Sequence, residues 1–150
     1  MTERMDYSAA TPAGVKALGG VYGHIMQSGL PKALVDLVYL RISQINGCAY
    51  CIDMHSRDLL KEGVRVEKLL LVQTWREGGA LFDNTERAAL AWAETLTRVA
   101  ETGVPDAEYE AAASAFDRKQ LADLTIAIGL MNIYNRLAIG FRTTPAAAKR

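Results

Sequence analysis

One long apolar segment near the C-terminal end limits the folds open to this chain more than any other feature. Asp117 is followed three residues later by Gln120, a pairing typical of a capping box at a helix N-terminus. The apolar residues that follow predict a single long helix from Arg118 to Phe141. Because this helix is apolar on several faces, it has to pack against other helices to bury them.

The rest of the chain also has the pattern of helices separated by short turns. No segment alternates apolar and polar residues as a half-buried strand does, and no hairpin turn signal occurs. We therefore predict an all-α fold of about six to seven helices. The expected ranges are Thr11–Pro12 to Gly29, Pro31 to Asn46, the segment after Gly47 up to Gly63, Glu67 to Trp75, Asp83 to about Glu101, Pro105 to about Phe116, and Arg118 to Phe141. Residues 143–150 are expected to form a flexible tail.

Length and charge exclude several classes of protein. The 150 residues fit one domain spanning 1–150. The 17 Lys and Arg residues balance 17 Asp and Glu residues with no basic stripe, so we expect no nucleic-acid partner. Polar residues interrupt the most apolar stretch, Leu121 to Ile139, which argues against a membrane span. No signal peptide pattern opens the chain, and we expect a cytoplasmic protein with no membrane partner.

Both cysteines and one of the two histidines lie within eight residues, CAYCIDMH, at positions 48–55. On a helix Cys48 and Cys51 share a face, at a separation that suits a disulfide, and His55 lies one turn beyond Cys51. Gly47 ends the preceding helix, so Cys48 falls at the start of the next one, where the helix dipole favours a thiolate. Cys51 is instead the thiol within reach of His55. The two effects favour different thiols.

A paired thiol motif in a reducing compartment indicates redox chemistry more than structure. Two alternatives stay open. The cysteines with His55 and His24 could form a Cys2His2 zinc site, although the usual paired histidine spacing is lacking. The thiols could also be inert core residues. The sequence contains no binding motif for NAD, flavin or haem, and we expect neither a cofactor nor a bound metal.

Asp36 interrupts an otherwise apolar run in the Pro31–Asn46 helix. A carboxylate in such a run is costly unless it is exposed or has a partner. The spacing alone favours neither of these two interpretations.

The run from Leu30 to Gly63 resembles the core of the alkyl hydroperoxidase D (AhpD) and carboxymuconolactone decarboxylase superfamily. The AhpD-like branch is marked by an acidic residue followed by Cys-x-x-Cys-x-x-x-His, as at positions 36 and 48–55. The similarity continues through 75–77 and 85–92 to 135–138, and so covers most of the chain. It implies an AhpD-like helical domain with the CxxC motif at the N-terminus of a core helix. The decarboxylases of the superfamily lack this motif, which argues against decarboxylation here.

The resemblance also implies a role for each residue of the motif. Cys51 matches the thiol that attacks a peroxide, Cys48 the partner that closes the disulfide, and His55 the imidazole that relays the proton of Cys51. The family's relay glutamate lies twelve residues before the first cysteine, where this chain has Asp36. Aspartate is one methylene shorter, so contact with His55 requires a bridging water or closer helix packing. Tyr50 stands where some members carry a second histidine.

These roles imply a peroxiredoxin-like alkyl hydroperoxidase, that is, a thiol-dependent peroxidase or dithiol–disulfide oxidoreductase. Its substrate would be a hydroperoxide, and its electrons would come from an external thiol or a lipoyl-type reductant. The resemblance and the multiply apolar helices predict a homo-oligomer, a trimer or a hexamer. The alternative is a non-catalytic oligomeric scaffold, or a redox- or metal-sensing module of the same fold.

Overall fold

A computed structural model describes residues 2–148 of the chain. Within this range the protein is all-α, as predicted, and contains no strand. Residues 2–148 contain nine α-helices: α1 (Tyr7–Ala10), α2 (Pro12–Gln27), α3 (Lys32–Asn46), α4 (Ala49–Lys61), α5 (Val66–Leu71), α6 (Asn84–Thr97), α7 (Val99–Thr102), α8 (Asp106–Ala115) and α9 (Arg118–Phe141). The two helices beyond the predicted seven, α1 and α7, have only four residues each.

Helix α3 is the centre of the molecule. It packs against α4, α6 and α9, and its residues from Leu34 to Leu40 are all buried. Pro31 precedes the helix in an extended conformation, and Gly47 ends it with a positive φ of 72° that glycine adopts without steric cost. These two residues therefore set the ends of α3 and with them the start of α4.

Helix α9 begins with the predicted capping box, in which Asp117 and Gln120 each accept the other's backbone N–H. It packs against α2, α3 and α6. Together with the residues that follow, it is long and apolar enough by length and composition to cross a membrane, and 39% of its apolar window is buried in the fold. The polar residues of α9 therefore do not exclude a membrane span by themselves, as the sequence suggested they would. The packing of α9 against three other helices shows instead that it is a core helix.

Two predicted helix boundaries are wrong. The helix expected from Glu67 to Trp75 ends at Leu71, and a 3-10 helix, Val72–Glu77, follows with a non-helical residue at Thr74. In this tighter turn, the Trp75 side chain reaches the buried carboxylate of Glu94 and donates a hydrogen bond to it (2.9 Å). The helix expected to reach Glu101 is likewise divided at Arg98, which ends α6 before α7 begins.

The chain continues beyond α9 along the start of α4. Thr143 N–H donates to the Ala138 carbonyl (2.9 Å), and Ala147 N–H donates to an Asp53 carboxylate oxygen on α4 (3.1 Å). Residues 143–148 are thereby held against the helix that carries the cysteines. The final two positions of the predicted flexible tail lie outside the described residues.

Candidate active site

The CxxC motif opens α4. Cys48 is the N-cap residue, and its Sγ accepts a hydrogen bond from the Cys51 backbone N–H (3.3 Å), a position usually taken by a Ser, Thr or Asp oxygen. The prediction that the motif lies at the N-terminus of a core helix is confirmed. Sulfur at an N-cap is exposed to the unpaired N–H groups and the dipole of the helix.

The two thiols are free, buried and electrostatically unequal. Each is only 1% exposed. The Cys51 thiol donates a hydrogen bond to Cys48, which lowers the pKa of Cys48 to about 7 although burial acts in the opposite direction. The same hydrogen bond, together with burial, raises the pKa of Cys51 well above its ordinary value. The reduced pair therefore carries its first negative charge on Cys48.

A buried amide stands beside the thiols. Asn135 of α9 is 0% exposed, donates to Ser43 Oγ (3.0 Å) and accepts from Asn46 Nδ2 (2.9 Å). After the mutual hydrogen bond of the thiols and burial, the Asn135 side chain is a further influence that lowers the pKa of both cysteines. The only sequence signal for this role was a polar residue in an apolar helix, whose function the pattern alone did not assign.

Asp36 is buried and has partners, so its interpretation as a solvated helix position is wrong. Its side chain lies on α3 and is 2% exposed. One oxygen contacts His55 Nδ1 directly at 3.2 Å, which shows that the packing of α3 on α4 makes up for the shorter aspartate. The other oxygen accepts from Lys32, which also pairs with Glu62 at the end of α4. Burial alone would raise the pKa of Asp36, but the hydrogen bonds from His55 and Lys32 hold it below its usual value.

His55 and Tyr39 each present a buried polar atom that has no hydrogen-bond partner among the described residues. These atoms are His55 Nε2 and the Tyr39 hydroxyl oxygen. The two rings pack edge to face with centroids 5.1 Å apart. Burial raises the pKa of Tyr39, so its hydroxyl keeps its proton and can donate it in a hydrogen bond. Unpartnered polar atoms at such depth are uncommon and mark a place where a polar ligand would fit.

These groups surround a cavity of about 350 Å³, which we call the Cys51 cavity. Cys51, His55 and Asp36 line it, whereas Cys48 does not. Its wall also includes five tyrosines: Tyr7, Tyr22, Tyr39, Tyr50 and Tyr134. The structure thus brings three of the four predicted site residues to one cavity. The fourth, Cys48, does not line it.

The zinc alternative gains no support in the part of the chain that the structure describes. No group of three or more His, Cys, Asp and Glu side chains is clustered as metal ligands in residues 2–148. His24, the second histidine that a Cys2His2 site needs, is the hydrogen-bond partner of Asp123 on α9 (2.9 Å).

The sequence and the fold agree on a family. Residues 12–95 match the model of the carboxymuconolactone decarboxylase family. The chain belongs to this family. It is 31% identical over 147 residues to the uncharacterized protein YdfG of Bacillus subtilis, covering 98% of this chain and 99% of that protein.

Solved structures place it among the AhpD-like members. A protein of unknown function from Agrobacterium tumefaciens, named provisionally as the antioxidant defence protein AhpD, superposes with a TM-score of 0.91 at 36% identity, over 96% of this chain and 98% of its own. The debrominase Bmp8 shares the fold at a TM-score of 0.79 and 19% identity, over 93% of this chain and 75% of its own. Because proteins of this fold include enzymes with different reactions, the activity has to be argued from the site itself.

Proposed function

We propose that the protein is a thiol-dependent peroxidase, in which Cys51 reduces a hydroperoxide and Cys48 then closes a disulfide with it. The observation that carries the proposal is the Cys51 cavity, where a thiol, a carboxylate-oriented imidazole and two unpartnered polar atoms share one wall. Cys48 Sγ accepts a hydrogen bond from the Cys51 backbone N–H but does not line that cavity. This division suits one attacking thiol and one resolving thiol.

The contact with Asp36 sets the tautomer of His55. Asp36 is ionised because its pKa is lowered, and an ionised carboxylate accepts a hydrogen bond, so Nδ1 carries the proton. The lone pair is then on Nε2, which no other side chain of the described residues engages. Nε2 makes no hydrogen bond with Cys51 in the free protein. The proton of Cys51 would therefore reach Nε2 through a water or the bound peroxide in the Cys51 cavity, while Asp36 stabilises the resulting imidazolium.

The reaction proceeds in two steps. The Cys51 thiolate attacks one peroxide oxygen, the O–O bond breaks, and the departing alkoxide takes the proton held by His55 to leave as an alcohol. Cys51 is now a sulfenic acid. The Cys48 thiolate then attacks the Cys51 sulfur, the S–O bond breaks, and hydroxide departs to become water as the disulfide forms.

The low pKa of Cys48 suits the second of these steps. A thiol with a pKa of about 7 is about half deprotonated at neutral pH, against a few per cent for an ordinary thiol, so a resolving nucleophile is available when the sulfenic acid appears. The first step needs Cys51 to lose its proton beside an anionic Cys48, which is costly without a base. The proposal therefore depends on His55 and Asp36.

Tyr39 and the cavity wall indicate the kind of peroxide. The Tyr39 hydroxyl can donate a hydrogen bond to a peroxide oxygen, and the surrounding tyrosine rings, with Met54 and Met131, suit an apolar organic group. We propose an organic hydroperoxide as substrate. Electrons would return from an external thiol or lipoyl-type donor in a reducing compartment such as the cytoplasm.

The test is steady-state turnover. Purified protein with excess dithiothreitol should consume cumene hydroperoxide catalytically, whereas the Cys48→Ser/Cys51→Ser double variant should not exceed the uncatalysed rate. Equal rates for both proteins would reject the peroxidase.

The alternative is a redox sensor that forms its disulfide once without turnover. The burial of both thiols favours it, since reactive cysteines are usually partly exposed. A sensor would lose its thiols to peroxide as the enzyme does, but it would be reduced too slowly by dithiothreitol to sustain consumption.

We also propose that the chain forms a homo-oligomer, a trimer or a hexamer. Apolar side chains remain exposed on α9 at Ile126, Ile133 and Ile139 and on α7 at Val99. Light scattering should give a mass three or six times the 16.4 kDa of one chain, and a stable monomer at micromolar concentration would reject this proposal.

A further inference from the structure

Helix α3 begins with a lysine that contacts the relay carboxylate. Pro31 precedes the helix, so Lys32 is its first residue. The helix dipole opposes a cation in the first turn, and the position of Lys32 therefore needs another explanation. Its contacts supply one, because the ammonium group donates to Asp36 Oδ2, one turn further along α3, and also to the Glu62 carboxylate.

These contacts follow one seam between two antiparallel helices. Asp36 on α3 meets His55 on α4 at 3.2 Å. One turn nearer the start of α3, Lys32 meets Glu62, the residue that follows the end of α4. The ion pair between Lys32 and Glu62 therefore ties the two helices together next to the contact between Asp36 and His55.

Lys32 also fixes the direction of the Asp36 carboxylate. Asp36 is buried, its Oδ2 accepts from Lys32 and its Oδ1 contacts His55. The terminal torsion of an aspartate is soft, so a strong donor on one oxygen determines where the other oxygen lies. The shorter aspartate is thereby held with one oxygen towards the imidazole.

The charges of these four side chains are nearly balanced. While His55 is neutral, the carboxylates of Asp36 and Glu62 face one ammonium group, which leaves one negative charge in excess. A proton on His55 makes the cluster neutral. Because Asp36 and His55 are buried, loss of the Lys32 charge would strongly favour the protonated pair, and loss of the Glu62 charge would disfavour it.

We propose that Lys32 is a positioning residue of the proton relay and that Lys32 and Glu62 together set the pH at which His55 is free to accept a proton. This inference rests on the proposed function, because that function needs His55 as a base. Lys32 does not line the Cys51 cavity, so it acts through Asp36 and not on the peroxide.

The pKa of Lys32 agrees with this role. Burial alone would lower that pKa, but the hydrogen bonds to Asp36 and Glu62 raise it above its ordinary value. Lys32 is therefore an ammonium group at any pH at which the relay operates. Its positive charge is a fixed part of the site, while the charge on His55 changes during the reaction.

Other titratable groups also face the relay. Burial raises the pKa of Tyr22 on α2, Tyr39 on α3 and Tyr134 on α9, so these rings are uncharged at neutral pH. The remaining titratable residues that line the Cys51 cavity in the described part of the chain are Tyr7, Tyr50, Cys51 and Asp58. Asp58 pairs with Lys61 (2.9 Å), which offsets its charge.

Two substitutions of opposite sign test the inference. Lys32→Met removes the cation and keeps an apolar side chain, whereas Glu62→Gln removes one negative charge and keeps the shape. The imidazole signals of His55 are followed against pH by NMR in the reduced protein. A His24→Gln background leaves His55 as the only histidine of the chain.

The titration midpoints should move in opposite directions. Without the Lys32 charge, the Asp36–His55 pair should keep its extra proton to a pH about one unit higher, the low end of the effect of a neighbouring charge. Glu62→Gln should lower the midpoint by less, because Glu62 does not contact the pair. Equal midpoints in the wild type and Lys32→Met, or shifts of the same sign in both variants, would overturn the inference.

Two further variants serve as controls. Lys32→Arg keeps the positive charge and should bring the midpoint back towards that of the wild type. Lys61→Met removes one charge from the same end of α4, but Lys61 is largely exposed, so the shift should be small. A shift as large as that of Lys32→Met would show that net charge alone moves the midpoint, against the inference. If Lys32→Met does not fold, a midpoint that Glu62→Gln fails to lower has the same meaning.

Oxidation rates distinguish positioning from a purely structural role. In stopped-flow reactions with cumene hydroperoxide, the acidic limb of the rate should follow the NMR midpoint, and the rate of Lys32→Met should recover at high pH. Equal slowing at every pH would make Lys32 structural. If the wild type does not react with the peroxide, the proposed function is rejected, yet the NMR midpoints still test the charge balance around His55.

Discussion

Cys51 and Cys48 line two different cavities. The first is the Cys51 cavity, and the second, of about 340 Å³, is the Cys48 cavity, lined by residues of the start of α4, the end of α9 and the segment after it. The first is lined by side chains that can move a proton or donate a hydrogen bond, among them His55 and Tyr39. The second is lined by Tyr50, Arg142 and several small residues, and its thiol has the lower pKa. The spacing of the CxxC motif therefore separates the thiol with the lower pKa from the thiol that shares a cavity with His55.

This separation explains why the sequence alone favoured different thiols by different arguments. The helix N-terminus and the hydrogen bond from Cys51 stabilise a thiolate at Cys48, while the imidazole and its carboxylate lie one turn further along. The structure bears out the first argument; for the second it shows that Cys51 and His55 line the same cavity without a hydrogen bond between them. They describe two steps of one cycle, since a resolving thiol benefits from a low pKa and an attacking thiol needs a base.

The largest expected effect comes from removing either thiol. Cys51→Ser should abolish peroxide consumption, because the nucleophile is lost. Cys48→Ser should also lose turnover but still form a sulfenic acid at Cys51, since the Cys51 cavity is intact. Mass spectrometry with a sulfenic-acid probe after one equivalent of peroxide distinguishes the two. A sulfenic acid on Cys48 in the Cys51→Ser protein, formed at the wild-type rate, would reverse the roles of the two cavities.

A smaller effect is expected at Asp36. Asp36→Asn keeps the shape but removes the charge that stabilises the His55 imidazolium, so oxidation by peroxide should slow by about ten- to a thousandfold, within the range for general acid–base assistance. Disulfide reduction by dithiothreitol should change less if the reductant attacks Cys48, because Asp36 does not line the Cys48 cavity. Asp36→Glu serves as the control that keeps the charge. Oxidation at the wild-type rate in Asp36→Asn would make the residue structural.

Tyr39→Phe should have a weaker effect on the same side. The variant removes one buried hydroxyl that has no partner in the free protein, so the fold should not lose a hydrogen bond. Loss of a hydrogen bond to the peroxide should slow oxidation by about tenfold. Stopped-flow oxidation rates and thermal unfolding together distinguish a role in binding the peroxide from a role in packing. A lower melting temperature with an unchanged oxidation rate would show that Tyr39 contributes to packing alone.

The smallest expected change concerns the charge on Cys48. Because the hydrogen bond from Cys51 is the main cause that lowers the pKa of Cys48 to about 7, Cys51→Ala should raise that pKa towards its ordinary value of about 8.5. Cys51→Ser keeps a donor and should shift it less. The Cys48 thiolate exists above the pKa of Cys48. As the pH is lowered, it would therefore be protonated at a higher pH in the alanine variant than in the serine variant. Thiolate absorbance at 240 nm against pH measures this, and identical curves for the two variants would contradict the assigned cause.

The sequence predicted the parts of the site that depend on local structure. Pro31 and Gly47 fixed the ends of α3, and Gly47 with the CxxC spacing placed Cys48 at a helix N-terminus. The direct contact between Asp36 and His55 could not be predicted, since it depends on how closely α3 packs on α4. The resemblance indicated that the two residues act together, and it left open whether a water or closer helix packing would join them.

Features that depend on distant segments were also missed. The unpartnered Tyr39 hydroxyl arises from packing across α3 and α4, and Asn135 reaches the thiols from α9, almost a hundred residues along the chain. The Cys48 cavity exists because residues 142–148 fold back over α4. Sequence periodicity describes the faces of single helices and carries no information on such approaches.

The central claim is that Cys51 and Cys48 form a redox pair that hydroperoxide oxidises directly. A single-turnover thiol titration tests it most directly: reduced protein is mixed with one equivalent of cumene hydroperoxide, and free thiols are counted with time. The account predicts rapid loss of both thiols per chain with one equivalent of alcohol formed, and full recovery of the thiols after dithiothreitol is added and removed. Retention of both thiols after the peroxide is added would contradict it.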